Sequence, residues 1–270
     1  MRHLAAAAGL FLLLAACGLS SHTAEEAGKQ DVILSGPVAL DLSTFNGSIE
    51  VVGGPPGTVR VAWTKRGSGE TAPDAEADLK NVEVKVTEEP GRVRIAARRT
   101  DDRAVSASGA SFVVTAPAGT PVVLRSSNGA IKVRGVGAGV DATTRNGAVE
   151  VQGGGGKIDA RSSNGSLKID GRDVSVRATT SNGSVAFFGS LADGQNVLSS
   201  SNGSIDAELD PASRFRLAAQ TSNGSIRCEF ALDPGAKIDK REVEGTVGAN
   251  ATASLTLKTS NGTIGIRRGK

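Results

Sequence analysis

The sequence predicts an all-β chain folded as a single-domain β-solenoid, a β-helix or β-roll. Its stacked coils take 18–21 residues, each being two strands joined by an Asn-Gly turn. Three observations carry this. Asn-Gly recurs at Asn46-Gly47, Asn128-Gly129, Asn146-Gly147, Asn164-Gly165, Asn182-Gly183, Asn202-Gly203, Asn223-Gly224 and Asn261-Gly262, with intervals from Asn128 onward of 18, 18, 18, 20, 21 and 38. Apolar and polar residues alternate on both sides of each turn, the period of a strand with one buried face. Only 3% of the residues are aromatic, which suits a narrow core filled by Val, Ile, Ala and Leu.

Taken in order, residues 1–16 are a leader. A basic start at Arg2 precedes an apolar run from Leu4, then Leu14-Ala15-Ala16-Cys17, after which polarity rises. The run of 13 residues from Leu4 to Ala16 is short of the roughly 20 that a membrane-crossing helix needs. The small residues before Cys17 resemble the lipobox of bacterial lipoproteins, whose cysteine is acylated and becomes the new N-terminus. Gly18 in place of Asp resembles the outer-membrane sorting pattern of Gram-negative cells. Residues 17–30, polar and small, are expected to form a flexible tether behind the lipidated cysteine.

Residues 31–270 form the solenoid domain, irregular over 31–115 and regular over 116–270. In the first part Asn46-Gly47-Ser48-Ile49 marks a coil and residues 67–80 a polar loop with a turn of helix near Ala75. Strands resume at 82–86 and 93–97. In the second part, columns emerge when the copies are aligned on Asn. Six residues before it stand Val122, Val140, Ile158, Val176, Asn196 and Leu217, and four before it Leu124, Ala142, Ala160, Ala178, Leu198 and Ala219. Two before it the residue is always Ser or Thr. Ile131, Val149, Leu167, Val185, Ile205, Ile226 and Ile264 follow three after it. Glu244-Gly245 falls inside the 38-residue interval and is read as a degenerate turn, with Gly245 as its glycine. Glycines at the second bend, Gly135, Gly153, Gly171 and Gly189, are expected to supply positive φ.

Asn-Gly between alternating strands also fits a hairpin meander. About sixteen meandering strands would leave one apolar face uncovered, and no helical segment is evident to cover it. A membrane barrel needs an apolar outer face with aromatic girdles, and the chain has one Trp and no Tyr. A solenoid buries both inward faces against each other.

The run from Phe112 to Val133, the Ser/Thr-Asn-Gly-Ser-Ile copies and Val243-Glu-Gly-Thr-Val-Gly together resemble the bacterial "putative adhesin" domain family, over about residues 31–268. The resemblance implies a β-solenoid, often tethered to the cell envelope and sometimes encoded near envelope-stress regulators. It supplies no catalytic residues.

Chemistry-bearing residues are sparse. Both histidines, His3 and His22, precede the domain, so the usual general base is missing, and no cofactor or metal is expected. With Cys17 lipidated, Cys228 is the remaining thiol, in an inward column between Ile226 and Phe230. Trp63 reads as core. Asp141 and Asp159 should stack in adjacent coils with Arg177 next, a spacing akin to a glycosidase pair but on an open face without a cleft. Gly153 to Asp159 resembles a calcium-binding nonapeptide, yet Ile158 stands where that motif needs Asp. The Asn-Gly-Ser/Thr sequons at Asn46, Asn164, Asn182, Asn202, Asn223 and Asn261 are explained by turn chemistry, Asn and Gly tolerating left-handed conformations. Residues 125–177 carry nine basic and five acidic side chains, a balance suited to anionic envelope polymers or lipid headgroups.

The reading is therefore a monomeric, non-enzymatic binding or structural module of the cell envelope. Its partners are the membrane, through Cys17, and an envelope polymer or protein; the +3 net charge points to no nucleic acid. Two other readings stay open: an envelope-stress signalling component that binds a protein, and a polysaccharide-cleaving β-helix enzyme.

Overall fold

A computed structural model describes residues 22–101 and 107–269, so Cys17 and the leader lie outside the described residues. The irregular part holds β1 (His22–Ile33), β2 (Ala39–Asn46), β3 (Ile49–Gly54), β4 (Thr58–Gly69), α1 (Ala72–Leu79), β5 (Val82–Glu89), β6 (Arg92–Arg99) and β7 (Gly109–Pro117). The repeats supply β8 (Val122–Asn128), β9 (Ile131–Arg134), β10 (Val140–Asn146), β11 (Val149–Asn164), β12 (Leu167–Asn182), β13 (Val185–Leu191), β14 (Gly194–Asn202) and β15 (Ile205–Leu209). The chain ends with β16 (Phe215–Asn223), β17 (Ile226–Cys228), β18 (Lys237–Ile238), β19 (Glu242–Val247), β20 (Ala253–Asn261) and β21 (Ile264–Arg268).

The chain is a solenoid. Strands that precede Asn-Gly turns pair in parallel in one ladder that β6, which precedes none, begins: β6–β2–β8–β10–β11–β12–β14–β20–β16. Strands that follow the turns form the other, which β7 begins without such a turn before it: β7–β3–β9–β11–β12–β13–β15–β21–β17. The long strands β11 and β12 run through the second bend and belong to both. Inward columns of the two ladders meet in one core. Val122, Val140, Ile158 and Val176 are buried there with Ile131, Val149, Leu167 and Val185, each such side chain contributing about 1.5–3 kcal/mol. Eight Asn-Gly turns stacked at about 4.8 Å per step make an edge on the order of 35 Å long.

Asn196 is the one amide in the column of Val and Leu six residues before Asn, and it is fully buried. Its Oδ1 accepts from Val176 N–H at 3.0 Å, and its Nδ2 donates to the carbonyls of Ala192 at 3.1 Å and Gly194 at 3.4 Å. The amide thus bridges two coils where the ladder jogs at the short β13–β14 connection. We expect Asn196→Leu, despite its similar size, to lower unfolding free energy in urea by about 1–3 kcal/mol, because the Val176 N–H it strands is buried; an unchanged midpoint would show that the amide is dispensable.

Four expectations are corrected. First, the tether does not extend to residue 30: from His22 onward the chain is β1, antiparallel to β4 through twelve residue pairs. Its inward positions Ala24, Glu26, Gly28 and Gln30 are too small or polar to announce a strand, and backbone pairing decides. Gly28 leaves room for the Trp63 indole, which a Cβ there would meet at 2.4 Å. Second, residues 67–80 are the end of β4 and α1, so a helix is available after all. A Thr71–Asp74 capping box starts it, and Ala75 and Leu79 bury against Ala24, closing the N-terminal end of the stack.

Third, Gly245 is no turn. It lies inside β19, opposite Leu217 of antiparallel β16. Val243 and Val247 face inward on either side of it, so the segment runs straight and lids the C-terminal end, beside the edge-to-face pair Phe215–Phe230 at 5.3 Å. Fourth, among the glycines that follow Asn only Gly47 has positive φ, at 141°. At the second bend Gly135, Gly153 and Gly189 are positive as expected, and Gly171 is not.

The stack also leaves chain order at both ends. The coil of β2 and β3 sits between β6/β7 and β8/β9, and the C-terminal pair β20/β21 sits between β14/β15 and β16/β17.

Candidate functional site

The Asn-Gly turns line up along one edge, and three nested rows build it. Innermost are hydroxyls, each donating to the carbonyl of a turn residue in the neighbouring coil: Ser126 to Gly47 at 3.0 Å, Thr144 to Gly129 at 2.9 Å, Ser162 to Gly147 at 2.8 Å and Thr180 to Gly165 at 2.9 Å. Thr44, Ser200, Thr259 and Thr221 continue the row. This is why the position two before Asn is always Ser or Thr: buried carbonyls need a donor.

The glycines form the second row. A Cβ on Gly129, Gly147, Gly165, Gly183, Gly203, Gly224 or Gly262 would sit 1.8–2.3 Å from the turn-glycine carbonyl oxygen of the adjacent coil. Close approach of backbones, and not left-handed φ, therefore demands glycine there.

The third row is amide. Asn146 Nδ2 donates to Asn128 Oδ1 at 2.7 Å, Asn164 to Asn146 and Asn182 to Asn164 at 2.8 Å, Asn202 to Asn182 at 2.9 Å, and Asn261 to Asn202 and Asn223 to Asn261 at 2.8 Å. The seven side chains are exposed, whereas Asn46 in the first coil is half-buried. Each amide in the middle of the row uses one N–H and one lone pair on its neighbours, leaving one donor and one acceptor to face outward. Hydroxyls flank the row: Ser184 lies 3.1 Å from Ser166, and Ser204 3.1 Å from Thr263. The edge is a regular one-dimensional array of donors and acceptors.

Asp141 and Asp159 do stand in register, with Arg177 next. Asp159 Oδ2 accepts from Arg161 at 2.5 Å, and its other oxygen is without a partner. The column faces outward on the ladder. Among the described residues, four of the nine basic side chains of residues 125–177 are in ion pairs: Arg125–Asp41 at 3.5 Å, Arg134–Glu50 and Arg161–Asp159 at 2.5 Å, and Lys168–Glu150 at 4.0 Å. Gly153 and Gly156, with φ of 64° and 65°, shape the second bend where β11 shifts register against β12. Cys228 is half-buried, its Sγ 3.8 Å from the Phe230 carbonyl, and burial pushes the thiol above its ordinary pKa. Trp63 packs against the core as expected.

Sequence reasoning missed an apolar groove of about 810 Å³ on the opposite edge, lined by Leu34, Val38, Pro37, Pro56, Pro117 and Pro121. Ile33 beside it is 74% exposed. Four prolines clustered at bends of the irregular part were its only trace in the sequence.

The sequence pattern of the family described as Toastrack DUF4097 matches residues 65–267. No curated protein matches the chain. Among solved structures it is similar to a "putative cell adhesion protein" from Clostridium sporogenes, with 11% identity, 90% of this chain and 100% of that chain covered, and a TM-score of 0.40. It is also similar to a "putative adhesin" from Bacteroides fragilis (12%, 89% and 97%, 0.43). A third is a "putative lipid binding protein" from Parabacteroides distasonis (9%, 90% and 97%, 0.41).

Proposed function

The chain belongs to the Toastrack DUF4097 family, and on that premise we propose that it is a non-catalytic binding module of the cell envelope, held to a membrane through lipidated Cys17. The observation that supports binding is the exposed Asn row with its flanking hydroxyls, a repeating set of paired donors and acceptors about 4.8 Å apart. A polymer with regularly spaced hydroxyl and amide groups, such as an envelope glycan, is its chemical complement. The edge lies along the coils, open along its length.

His22, the first described residue of β1, is five residue steps from Cys17, a reach of at most about 18 Å. The N-terminal end of the stack then stands close to the bilayer and the C-terminal lid farther out.

Two experiments test the halves separately. The native gene and a Cys17→Ala variant are labelled with radioactive fatty acid and fractionated; labelled membrane-bound wild type and unlabelled released variant are expected, and two unlabelled soluble proteins would remove the anchor. Binding is tested by co-sedimentation with purified envelope polysaccharide, comparing wild type with Ser166→Ala/Ser184→Ala/Ser204→Ala. Three lost hydrogen bonds of about 1 kcal/mol each should weaken binding at least tenfold, while exposed Ser→Ala changes leave the melting temperature nearly unchanged. Equal sedimentation of the two proteins would refute the edge as the binding surface.

A further inference from the structure

The Asn223 coil follows the Asn202 coil in the chain but not in space, because residues 253–268 lie between them. Nearly everything that holds this inserted pair is what holds any two neighbouring coils. Asn261 donates to Asn202 and receives from Asn223, both at 2.8 Å. Thr259 caps the Gly203 carbonyl at 2.8 Å, and Thr221 caps that of Gly262 at 2.9 Å. Gly262 N–H donates to the Asn223 carbonyl at 3.1 Å. Such contacts recognise an Asn-Gly coil and carry no information about which molecule it comes from.

The segment is synthesised after both of the coils, of the same kind as itself, that flank its slot. Those coils must part, or stay parted, for it to enter. It reaches the slot through the connection 248–252, which turns back at two left-handed residues, Gly248 at 74° and Asn250 at 56°. Opening that hinge directs β20/β21 away from its own slot without disturbing any contact inside the segment. Beyond the generic rows, Arg267–Asp206 at 3.1 Å and Arg268 N–H to Glu229 at 3.1 Å fit the segment to this slot in preference to the others.

We infer that the slot between the Asn202 and Asn223 coils is an exchange site, filled here by the chain's own C-terminal strand pair and open to residues 253–268 of a second copy, giving a strand-exchanged dimer. Exchange of an identical element between protomers creates no contact that the monomer lacks except at the hinge. This goes beyond the envelope-binding proposal and does not rest on it.

Cysteines placed on Val197 and Thr256, outward-facing partners in the β14–β20 register, test it in a full-length Cys17→Ala/Cys228→Ser background. Adjacent strands have the spacing a disulfide needs. A chain carrying both Val197→Cys and Thr256→Cys should close the bond within itself. A mixture of the two single variants, unfolded and refolded together under oxidation, should yield a dimer joined between positions 197 and 256. Its ratio to monomer should rise about tenfold for a tenfold increase in concentration at low conversion. Asn250→Val, which strains the closed hinge, should raise that ratio by about another tenfold. Refolded single variants that give no 197–256 link, while the double variant closes its own, restrict the slot to its own chain and overturn the inference. A double variant that fails to close overturns it equally, since β20 would then not lie beside β14.

Discussion

Replacing Gly165 with alanine should unfold the middle of the stack, at a cost of at least about 4 kcal/mol. The added Cβ would lie 1.8 Å from the Gly147 carbonyl oxygen, a backbone atom that cannot rotate aside. The coils must separate by more than 1 Å, roughly, to reach an ordinary carbon–oxygen contact. That separation breaks three rows at once, because Ser162 caps Gly147, Thr180 caps Gly165, and Asn164 bonds Asn146 and Asn182. A matched control is Gly119→Ala, where a Cβ meets nothing within 4 Å, so its effect should stay within about 0.5 kcal/mol. Chemical denaturation of the two variants beside wild type decides the matter. Equal stability of all three would mean that the coils are not packed as described.

The second large effect is expected at the N-terminal end, where α1 is pinned by a charged cluster. Asp78 accepts from Arg99 at 2.7 Å, from Ser68 N–H at 2.9 Å and from the Ser108 hydroxyl, and Arg99 also bonds Asp101 at 2.7 Å. The Asp78 and Arg99 side chains are each only 10% exposed. Asp78→Ala should lower stability by about 3 kcal/mol, the low end for breaking a buried pair, because Asp101 still faces the guanidinium. Burial alone would push the Asp78 carboxyl up, but the Ser108, Ser68 and Arg99 contacts outweigh it and leave it below its ordinary value. A carboxyl lowered in the folded state stabilises fully above its unfolded pKa of about 3.9, and that stability is lost as pH falls through and below it. Urea midpoints of wild type and Asp78→Ala should therefore converge as pH drops below about 4. A gap that persists at low pH would show that the loss comes from packing and not from charge.

What the sequence disclosed and what it hid have a common cause. Inward alternation, the Ser/Thr column and the Asn-Gly turns are local patterns repeated in register, and they placed nearly every strand of residues 116–228. Stacking order is not local. Because each coil offers the same hydroxyl, glycine and amide to its neighbours, nothing in the Asn261 copy says that it inserts ahead of the Asn223 copy. The interval of 38 residues therefore invited a missing coil at Glu244-Gly245, when the chain was making a lid and returning. The same interchangeability concealed the role of the turn glycines, since a carbonyl about 2 Å from an imagined Cβ belongs to a residue 18 or more positions away. At the N-terminal end, His22 to Gln30 lack apolar alternation, and the backbone of β4 supplies what the side chains do not. The Asn edge was legible as a polar array. The apolar groove was not, because its proline and aliphatic walls come from three separated bends.

Every resolved link in the amide row points the same way, with Nδ2 of one coil donating toward the N-terminal end of the stack. Amide dipoles of about 3.5 D each then add along the axis, as peptide dipoles do in a helix. The row consequently has a sense of direction that its sequence repeat lacks: donors lead at one end, and at the other the Asn223 oxygen terminates the chain of bonds. A linear polymer laid along it meets a polar track, and a chain with distinguishable ends would settle on it in one orientation.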